Sequence, residues 1–334
     1  MLSRGSRHFF VAATLALTLI GCSPTASPSA AKSSTPSAEV SSSRLPGGSA
    51  QIKVGPFPIA VAVGDGSVWV VEHNGPSVAR IDPVANRIAA DIPLGPYPRC
   101  AVVANGQLWV AESGTGSIAE IDPTSNRVIR DIPVTAKSNS TNLVAAGGMI
   151  WVTDYLDGPS SVFRLDPGNG QVTQAVVSGH FSASGEANLL WLADADAGRL
   201  LLVNAPSGTV QRTIVTAEPL LIGPGSVQAG ILWATGLSSG AVYQVVESTG
   251  VATEIVKMGA LSAPLATSNK VFFGTSDDRL ASLDIASSAQ TSIATMALSG
   301  TDNSSLCGLA IGFGALWATR FEDQGAIVRI PVQS

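Results

Sequence analysis

Short apolar runs alternate with clusters of turn-forming residues along most of this chain. Between residues 58 and 94, four apolar runs are separated by three clusters that contain Gly, Pro, Asn or Asp. Runs bounded in this way are typical of β-strands, and tight turns join such strands into an antiparallel meander. The first cluster, Gly64–Ser67, leads directly into the run Val68–Glu72, whose second residue is Trp69.

The meander recurs with a nearly constant period. The aromatic residue of the second run returns at spacings of 40, 42, 40, 42, 39 and 45 residues, at Trp69, Trp109, Trp151, Trp191, Trp233, Phe272 and Trp317. Four short strands repeated every forty-odd residues are typical of β-propeller blades. We therefore predict an all-β, seven-bladed β-propeller of four-stranded antiparallel blades, with the repeated aromatic residues packed between neighbouring blades.

The two ends of the repeat complement each other. The last unit stops one strand short after residues 326–332, whereas residues 50–55 align with the outer strand of the first unit at residues 90–95. A blade that joins both termini closes the ring and removes an open sheet edge. We therefore predict that the N-terminal strand closes the last blade and that residues 50–334 form one propeller.

The N-terminal residues do not belong to the repeat. A basic segment precedes an apolar run from Phe9 to Ile20, which is too short to span a bilayer permanently and is typical of an export signal. Its end, Leu-Ile-Gly-Cys at residues 19–22, resembles the lipobox of bacterial lipoproteins. The resemblance implies a lipoprotein signal peptide at residues 1–21 and an acylated Cys22; the alternative is an ordinary secretory signal that contains a cysteine.

Residues 22–49 form a segment rich in Ser, Pro and Ala with almost nothing to bury, which predicts a disordered tether. Acyl chains on Cys22 would insert into membrane lipid and hold the propeller at the cell membrane, on its extracytoplasmic side. The net charge of −5 comes without a basic stripe, so nucleic acid is not a predicted partner.

One face of the predicted disk collects most of the chemically distinctive residues. In each blade the first strand begins, and the second strand ends, at this face, which we call the upper face; the Gly-Asp-Gly and Asp-Pro turns lie on the opposite, lower face. The candidate binding face on the upper side comprises Phe57, Glu72, His73, Tyr97, Arg99, Glu112, Asp154, Tyr155, Asp194 and Arg320.

The position three residues after the core aromatic residue is acidic in four consecutive units, at Glu72, Glu112, Asp154 and Asp194. These carboxylates either form an acidic half-rim for a cation, an amine or a basic partner, or accept hydrogen bonds from amides of their own turns. We favour the second interpretation. Because His73 and His180 are two lone histidines without a third ligand nearby in sequence, we predict neither a metal site nor a cofactor.

Cys100 and Cys307 fall near the start of a first strand in the second and seventh units. If Cys22 is acylated, these two form an even pair in an oxidising compartment, which favours a disulfide. The first unit lies between them, however, and bridged Cα atoms must approach to about 6 Å. Only the long loop at residues 299–306 offers the reach, so both alternatives stay open.

The pattern Pro-x-Pro-x-Ala-Val-x-x-Gly-x-Gly-x-Val-Trp-Val-x-Glu, followed by Ser-Val-Ala-Arg-Ile-Asp-Pro at residues 77–83, resembles the YVTN and NHL-like bacterial propellers. These include the streptogramin B (virginiamycin B) lyases, and the resemblance covers residues 50–334. It implies a seven-bladed fold, with catalytic residues and magnesium in the loops before the first strands. Here those loops carry Phe57 and Tyr97 and lack the catalytic histidines of the lyases.

Two functions remain as hypotheses at this point. The first is a membrane-anchored extracytoplasmic lipoprotein whose propeller binds a protein or a small-molecule ligand. The second is a divalent-cation-dependent lyase or hydrolase. We prefer the binding protein, because an elimination needs a positioned acid and base and the matching loops supply neither.

Overall fold

The computed structural model describes residues 47–332 except 135–140, 155–161, 175–178, 278, 286–292 and 298–307. All regular elements within these ranges are β-strands, which are grouped into seven antiparallel sheets. The predicted all-β, seven-bladed propeller is therefore confirmed. The described part of the chain contains no helical segment with the length and apolar character needed to span a membrane.

In each of the first four blades, four strands pair in chain order. We number the strands along the chain and reserve β1 for the N-terminal strand. The strands of blades 1 and 2 are β2 Pro58–Gly64, β3 Ser67–Glu72, β4 Ser77–Asp82, β5 Arg87–Pro93, β6 Pro98–Ala104, β7 Gln107–Glu112, β8 Ser117–Asp122 and β9 Arg127–Pro133. Those of blades 3 and 4 are β10 Thr141–Ala146, β11 Met149–Asp154, β12 Phe163–Leu165, β13 Val172–Gln174, β14 Phe181–Glu186, β15 Leu189–Asp194, β16 Arg199–Asn204 and β17 Thr209–Val215.

Blade 5 differs because its first strand is split into two short pieces that both pair with the second strand. Its strands are β18 Leu220–Leu221, β19 Val227–Gln228, β20 Ile231–Gly236, β21 Ala241–Val246 and β22 Val251–Lys257. Blade 6 consists of β23 Leu265–Ala266, β24 Lys270–Thr275, β25 Arg279–Asp284 and β26 Ile293–Ala297. Blade 7 takes three strands from the C-terminal end, β27 Leu309–Gly312, β28 Ala315–Arg320 and β29 Ala326–Pro331.

The fourth strand of blade 7 is β1 Ala50–Lys53, which pairs antiparallel with β29. Its register sets Ala50 opposite Arg329 and Ile52 opposite Ile327. Ile52 is buried, whereas its neighbours Gln51 and Lys53 are exposed, as expected for an outer strand with one apolar face. The N-terminal strand therefore closes the last blade, as the alignment of the two chain ends predicts.

The repeated aromatic residues form the core between blades. All seven are buried, from 0% exposed at Trp69 to 7% at Phe272. In four blades the indole N–H donates to the backbone carbonyl five residues earlier, as from Trp69 Nε1 to Gly64 O at 3.3 Å. This bond joins the core residue to the end of the preceding strand, so these four tryptophans both fill the space between sheets and satisfy their polar atom; Trp191 Nε1 is buried without a hydrogen-bond partner among the described residues.

Arginines link consecutive blades at the lower face. Arg80 Nη1 donates to Pro123 O of the next blade at 3.0 Å. Three further arginines each donate in the same way to a backbone carbonyl in the third turn of the blade that follows their own. These pairs are Arg130 with Pro167, Arg164 with Pro206 and Arg212 with Glu247. Because each bond joins a strand of one sheet to the third turn of the next, the blades are held together by charge-assisted hydrogen bonds as well as by apolar packing.

Candidate functional site

The loops before the first strands and after the second strands meet at the upper face, and backbone hydrogen bonds join them within each blade. His73 N donates to Phe57 O at 3.0 Å in blade 1, and Ser113 N donates to Tyr97 O at 3.1 Å in blade 2. The bond from Ala195 N to His180 O is the counterpart in blade 4. Residues of these two kinds of loop are therefore neighbours, as the meander requires.

The acidic residues at the ends of the second strands are buried and point back into their own blades. Glu72 is 3% exposed; its Oε1 accepts from Gly55 N at 2.6 Å and its Oε2 from Ser77 Oγ at 2.5 Å. Glu112 repeats this arrangement, with bonds from Gly95 N at 2.7 Å and Ser117 Oγ at 3.2 Å. Both carboxylates therefore tie the loop before the first strand to the start of the third strand.

Asp194 also accepts hydrogen bonds within its own blade, but its backbone donors lie only two and three residues further along the chain. Its Oδ1 accepts from Asp196 N and Ala197 N, both at 3.0 Å, and its Oδ2 accepts from Arg199 Nε at 2.8 Å. Asp154 ends β11 with its backbone paired to Thr141. The carboxylates of Glu72, Glu112 and Asp194 thus follow the structural alternative, in which the acids satisfy their own blades.

Burial changes the protonation of the first of these acids. Removal from water raises the pKa of Glu72, and the hydrogen bonds from Ser77 and Gly55 lower it only in part. The negative charge of Asp91 raises it further. The protonation of Glu72 is therefore coupled to folding at a pH above the ordinary range of a glutamate carboxyl, although the side chain has a structural role.

In blade 5 the two loops are also joined by a carboxylate, but the acid comes from the loop before the first strand, and the sequence analysis did not predict it. Gly236 stands at the acidic position, and Glu218 from the loop before the first strand fills the space instead. Its Oε2 accepts from Ser238 N at 2.8 Å and Ser239 N at 2.9 Å, while Tyr243 OH donates to Oε1 at 2.8 Å. The signal in the sequence would have been a glycine at the acidic position together with an acid directly before Pro219, in the loop before the first strand of the same blade.

Blades 6 and 7 end their second strands with other polar residues. Thr275 Oγ1 donates to Asp277 Oδ1 at 2.5 Å, and Arg320 Nη2 forms an ion pair with Glu322 Oε1 at 2.9 Å. The acidic half of the upper face is therefore followed by a threonine and an arginine that are both engaged within their own loops.

Aromatic rings, rather than carboxylates, are presented by the upper face at blades 7, 1 and 2. Phe57 packs edge-on against Phe321 with ring centroids 5.1 Å apart. The rings of His73 and Tyr97 are 5.5 Å apart and tilted by 44°. We call these four residues the aromatic patch. The sequence analysis did not predict Phe321. It follows directly after Arg320, which was a predicted member of the binding face.

Two members of the aromatic patch have unusual backbone conformations. Phe57 and Tyr97 have φ values of +52° and +57°, in the left-handed region. Side chains with a Cβ enter this region at a cost of about 1–2 kcal/mol, and bulky residues do so rarely. The equivalent position in blade 6 is Gly259, with φ of +64°. Blades 1 and 2 therefore hold an aromatic ring where the backbone favours glycine.

His73 joins blades 1 and 2 through its ring. Its Nδ1 lies 2.9 Å from Pro98 O, and because a carbonyl only accepts, Nδ1 carries the proton. Burial lowers the pKa of His73; the bond to Pro98 O raises it in part, and the positive charge of Arg99 lowers it further. The imidazole is therefore neutral at neutral pH, with its ring between the Pro98 carbonyl and the ring of Tyr97.

The remaining predicted sites are only partly covered. Cys100 is buried and is disulfide-bonded in the structure. Cys307, Tyr155 and Cys22 lie outside the described residues. The pairing of Cys100 with Cys307 and the acylation of Cys22 stay predictions. Within the described ranges, no group of three or more His, Cys, Asp or Glu residues is arranged to hold a metal ion.

Comparison with known proteins supports the fold. No protein-family model matches the chain, and no curated protein sequence matches it. Among solved structures it is similar to the hydrazine synthase of Kuenenia stuttgartiensis, with a TM-score of 0.61 and 11% identity over 83% of this chain and 97% of that chain.

Two further similar structures are U3-55K and the WD40 repeats of RRP9. Each has a TM-score of 0.64 and 11% identity; they cover 84% and 85% of this chain and 98% and 97% of their own chains. At this identity the likeness shows the β-propeller fold alone, and that fold carries many functions. The resemblance to YVTN propellers and streptogramin B lyases stays a prediction.

Proposed function

We propose that this protein is a membrane-anchored extracytoplasmic lipoprotein whose propeller binds another protein through the aromatic patch on its upper face. Acylated Cys22 supplies the anchor, and residues 23–49 supply the tether. The propeller fold is compatible with a binding module, because it presents loops from every blade on one face.

The observation that carries this proposal is the left-handed backbone of Phe57 and Tyr97. Strained conformations of this kind persist where the ring that they position has a use. Tyr97 is 54% exposed, so half of its ring is available to a partner. Aromatic residues are enriched at protein interfaces and carry much of the binding energy there. A glycine in their place would ease the backbone but remove the ring.

The N-terminal strand begins at the face opposite the aromatic patch. β1 starts with Ala50 opposite Arg329 at the lower end of blade 7 and runs towards Lys53 at the upper end. Gly48 O accepts a bond from Arg329 Nη1 at 3.3 Å on that lower side. The described residues that precede β1 therefore lie at the lower face, on the opposite side of the propeller from the aromatic patch.

Site-specific photocrosslinking in intact cells tests the binding role. A photoreactive phenylalanine analogue at Tyr97 is expected to crosslink one discrete protein. The matched control is the same analogue at Val84, which is 88% exposed in the third turn of blade 1 on the lower face. A crosslink of equal yield to the same protein from both positions, or none from Tyr97, would contradict the proposal.

The anchor is tested separately. Cys22→Ala is expected to move the protein from the membrane fraction to the soluble extracytoplasmic fraction and to abolish incorporation of a labelled fatty acid. Ser27→Ala in the tether serves as the control, because it leaves Cys22 in place and should change neither fractionation nor labelling. Fatty-acid labelling that survives Cys22→Ala would exclude Cys22 as the acylated residue.

A further inference from the structure

The seam between blade 7 and blade 1, which we call the closing seam, differs at the lower face from the four seams that follow it. In those four, an arginine donates to a backbone carbonyl in the third turn of the next blade. Blade 7 has an arginine at the same position, because Arg329 lies opposite Trp317 in the sheet. Arg80 of blade 1 lies opposite Trp69 in the same way. Arg329 Nη1, however, donates to Gly48 O, just before β1 of its own blade.

The side chain of Arg329 also lacks an acceptor that its counterpart in blade 1 has. Arg80 Nε donates to Ser67 Oγ at 2.7 Å, and Arg80 Nη1 donates to Asn126 Oδ1 of blade 2 at 3.1 Å. Ser67 is the first residue of β3, and the first residue of β28 is Ala315, which has no hydroxyl group. Arg329 Nε is buried and has no hydrogen-bond partner within the described ranges.

An acceptor on the blade 1 side of the closing seam is unpaired as well. Asn86 has the place in blade 1 that Asn126 has in blade 2: φ is +51° and +56°, and each backbone N–H donates to the Asp carbonyl that begins the turn. Asn126 Oδ1 accepts from the arginine of the preceding blade. Asn86 Oδ1 is buried and has no partner in the described part of the chain. Buried polar atoms without partners destabilise the closed arrangement relative to one in which water reaches them.

Apolar packing and the upper edge hold the closing seam together. Ile81 of blade 1 lies in one buried cluster with Ala315 and Trp317 of blade 7. At the upper face the chain itself passes from β1 of blade 7 to β2 of blade 1, and Val54 N donates to Gly325 O at 3.0 Å along this connection. The described residues of blades 7 and 1 share no hydrogen bond at the lower face. Among these residues, backbone bonds therefore tie the upper edge, and apolar contacts hold the lower edge.

We infer that the closing seam opens transiently at its lower edge in the folded protein, with residues 54–57 at the upper face as the hinge. Local opening is most frequent where few interactions have to break. At the closing seam such a motion breaks apolar contacts only, as far as the described residues show, and it gives Arg329 Nε and Asn86 Oδ1 access to water. At the seam between blades 1 and 2, the same motion also breaks the two bonds of Arg80 to blade 2. The closing seam therefore opens more often than the seams that an arginine bridges.

Cysteine labelling of the full-length native protein measures this opening. Ile81 and Ile121 have the same position near the lower ends of β4 and β8, and both are 0% exposed. Ile81 packs in the cluster of Trp317 at the closing seam, whereas Ile121 packs in the cluster of Trp69. Ile81→Cys is expected to react with a water-soluble maleimide at least about tenfold faster than Ile121→Cys. Peptide mapping by mass spectrometry assigns the label to the introduced cysteine, and denaturant titration of both variants corrects for global unfolding.

A second substitution tests the cause of the opening. Ala315→Ser gives Arg329 Nε the acceptor that Ser67 gives Arg80 Nε in blade 1. It is expected to slow the labelling of Ile81→Cys by about fivefold, because one more bond must break before the seam opens. The labelling of Ile121→Cys is the control and should not change, because this cysteine reports on another seam.

Two results would overturn the inference. One is equal labelling of Ile81→Cys and Ile121→Cys after the correction for global unfolding, including no labelling of either, because the closing seam would then be no weaker than its neighbour. The other is an unchanged labelling rate of Ile81→Cys in the presence of Ala315→Ser, because the unpaired Arg329 Nε would then not promote opening. Since the purified protein is labelled without any partner, neither result affects the role proposed for the aromatic patch.

Discussion

The carboxylate of Glu218 fills the space in front of Gly236: a Cβ added to that glycine would lie 2.5 Å from Glu218 Oε1. In blades 1 and 2 the acid ends the second strand and receives an amide from the loop before the first strand. In blade 5 the acid sits in that loop and receives amides from the residues after the second strand. The two loops are thus joined by a carboxylate in either direction.

Glu218→Ala is expected to lower the free energy of unfolding by about 2–3 kcal/mol, because it leaves Ser238 N, Ser239 N and Tyr243 OH without their acceptor. Denaturant titration measures the change. Glu247→Ala is a control, since that glutamate lies in a lower-face turn of the same blade and should change stability by no more than about 0.5 kcal/mol. Equal effects of the two variants would contradict the role of Glu218.

The same contact predicts a spectroscopic change. Burial, followed by the hydrogen bond to Glu218 and its negative charge, raises the pKa of Tyr243 to about 12. Glu218→Gln keeps the shape but removes the charge, so the phenol of Tyr243 should ionise at a lower pH than in wild type. Near-ultraviolet absorbance follows the phenolate, and Tyr243→Phe identifies the contribution of this residue. An unchanged titration in Glu218→Gln would show that burial alone sets the pKa.

Closure of the ring should be measurable at Ile52. Its side chain is 7% exposed and stands opposite Ile327. Ile52→Ala should cost about 2–4 kcal/mol in denaturant titration through lost burial and the cavity left behind. Lys53→Ala, at the exposed neighbouring position, should cost no more than about 0.5 kcal/mol.

Removal of the whole closing strand is the stronger form of this experiment. A chain that starts at residue 55 would leave β29 as an open edge, which favours association between chains. It is expected to elute as multimers in size-exclusion chromatography. A stable monomer with wild-type unfolding would contradict the contribution of β1 to closure.

The raised pKa of Glu72 predicts how the free energy of unfolding changes with pH. Because its pKa is raised by burial, the folded protein holds the proton more tightly than the unfolded chain. The contribution of Glu72 to stability is therefore fully present below the ordinary pKa and is lost as the pH rises through the raised one. Glu72→Gln lacks this titration, so its unfolding free energy relative to wild type should increase across that window.

Glu72→Ala separates charge from hydrogen bonding. It deprives Gly55 N and Ser77 Oγ of their acceptor and should cost about 3 kcal/mol near neutral pH. If Glu72→Ala and Glu72→Gln had equal stability near neutral pH, the carboxylate would not hold the two loops together.

The lowered pKa of His73 makes stability depend on pH with the opposite sign. Burial lowers the pKa of His73, so the unfolded chain takes up a proton first as the pH falls below about 6.5. Stability should therefore decrease as the pH falls from neutral through the lowered pKa. Urea titrations of wild type and His73→Gln over this range measure the difference. The variant should show a flatter profile, and parallel profiles would contradict the shift.

Much of the fold follows from residues that act locally. The turn Gly64–Ser67 and the run around Trp69 specify a hairpin and a buried strand, and each later copy repeats these instructions. The closing strand is also visible, because Ile52 has the place in its segment that Ile92 has in the outer strand of blade 1. Both features depend on spacing and burial, which a single chain displays directly.

The direction of side chains at the loops does not follow from spacing. Four acids in register were compatible with a half-rim as well as with the favoured set of internal bonds, and the outcome at Glu72 depends on where Gly55 N lies, 17 residues away in the chain. Phe321 meets Phe57 only because the ring brings blade 7 beside blade 1. Glu218 was not predicted because it lies in the loop before the first strand, whereas Gly236, which stands at the acidic position, ends the second strand.

The sequence by itself determined the seven-fold repeat, the strands and turns of each blade, and the closure of the last blade by the first strand, because these rest on local turn chemistry and on the periodic burial of apolar residues. Only the tertiary structure decided which polar atoms are satisfied within the blades and which rings remain at the upper face. Those outcomes depend on donors and acceptors from segments that are far apart in the chain, and the sequence pattern does not show which of these segments meet in the folded protein.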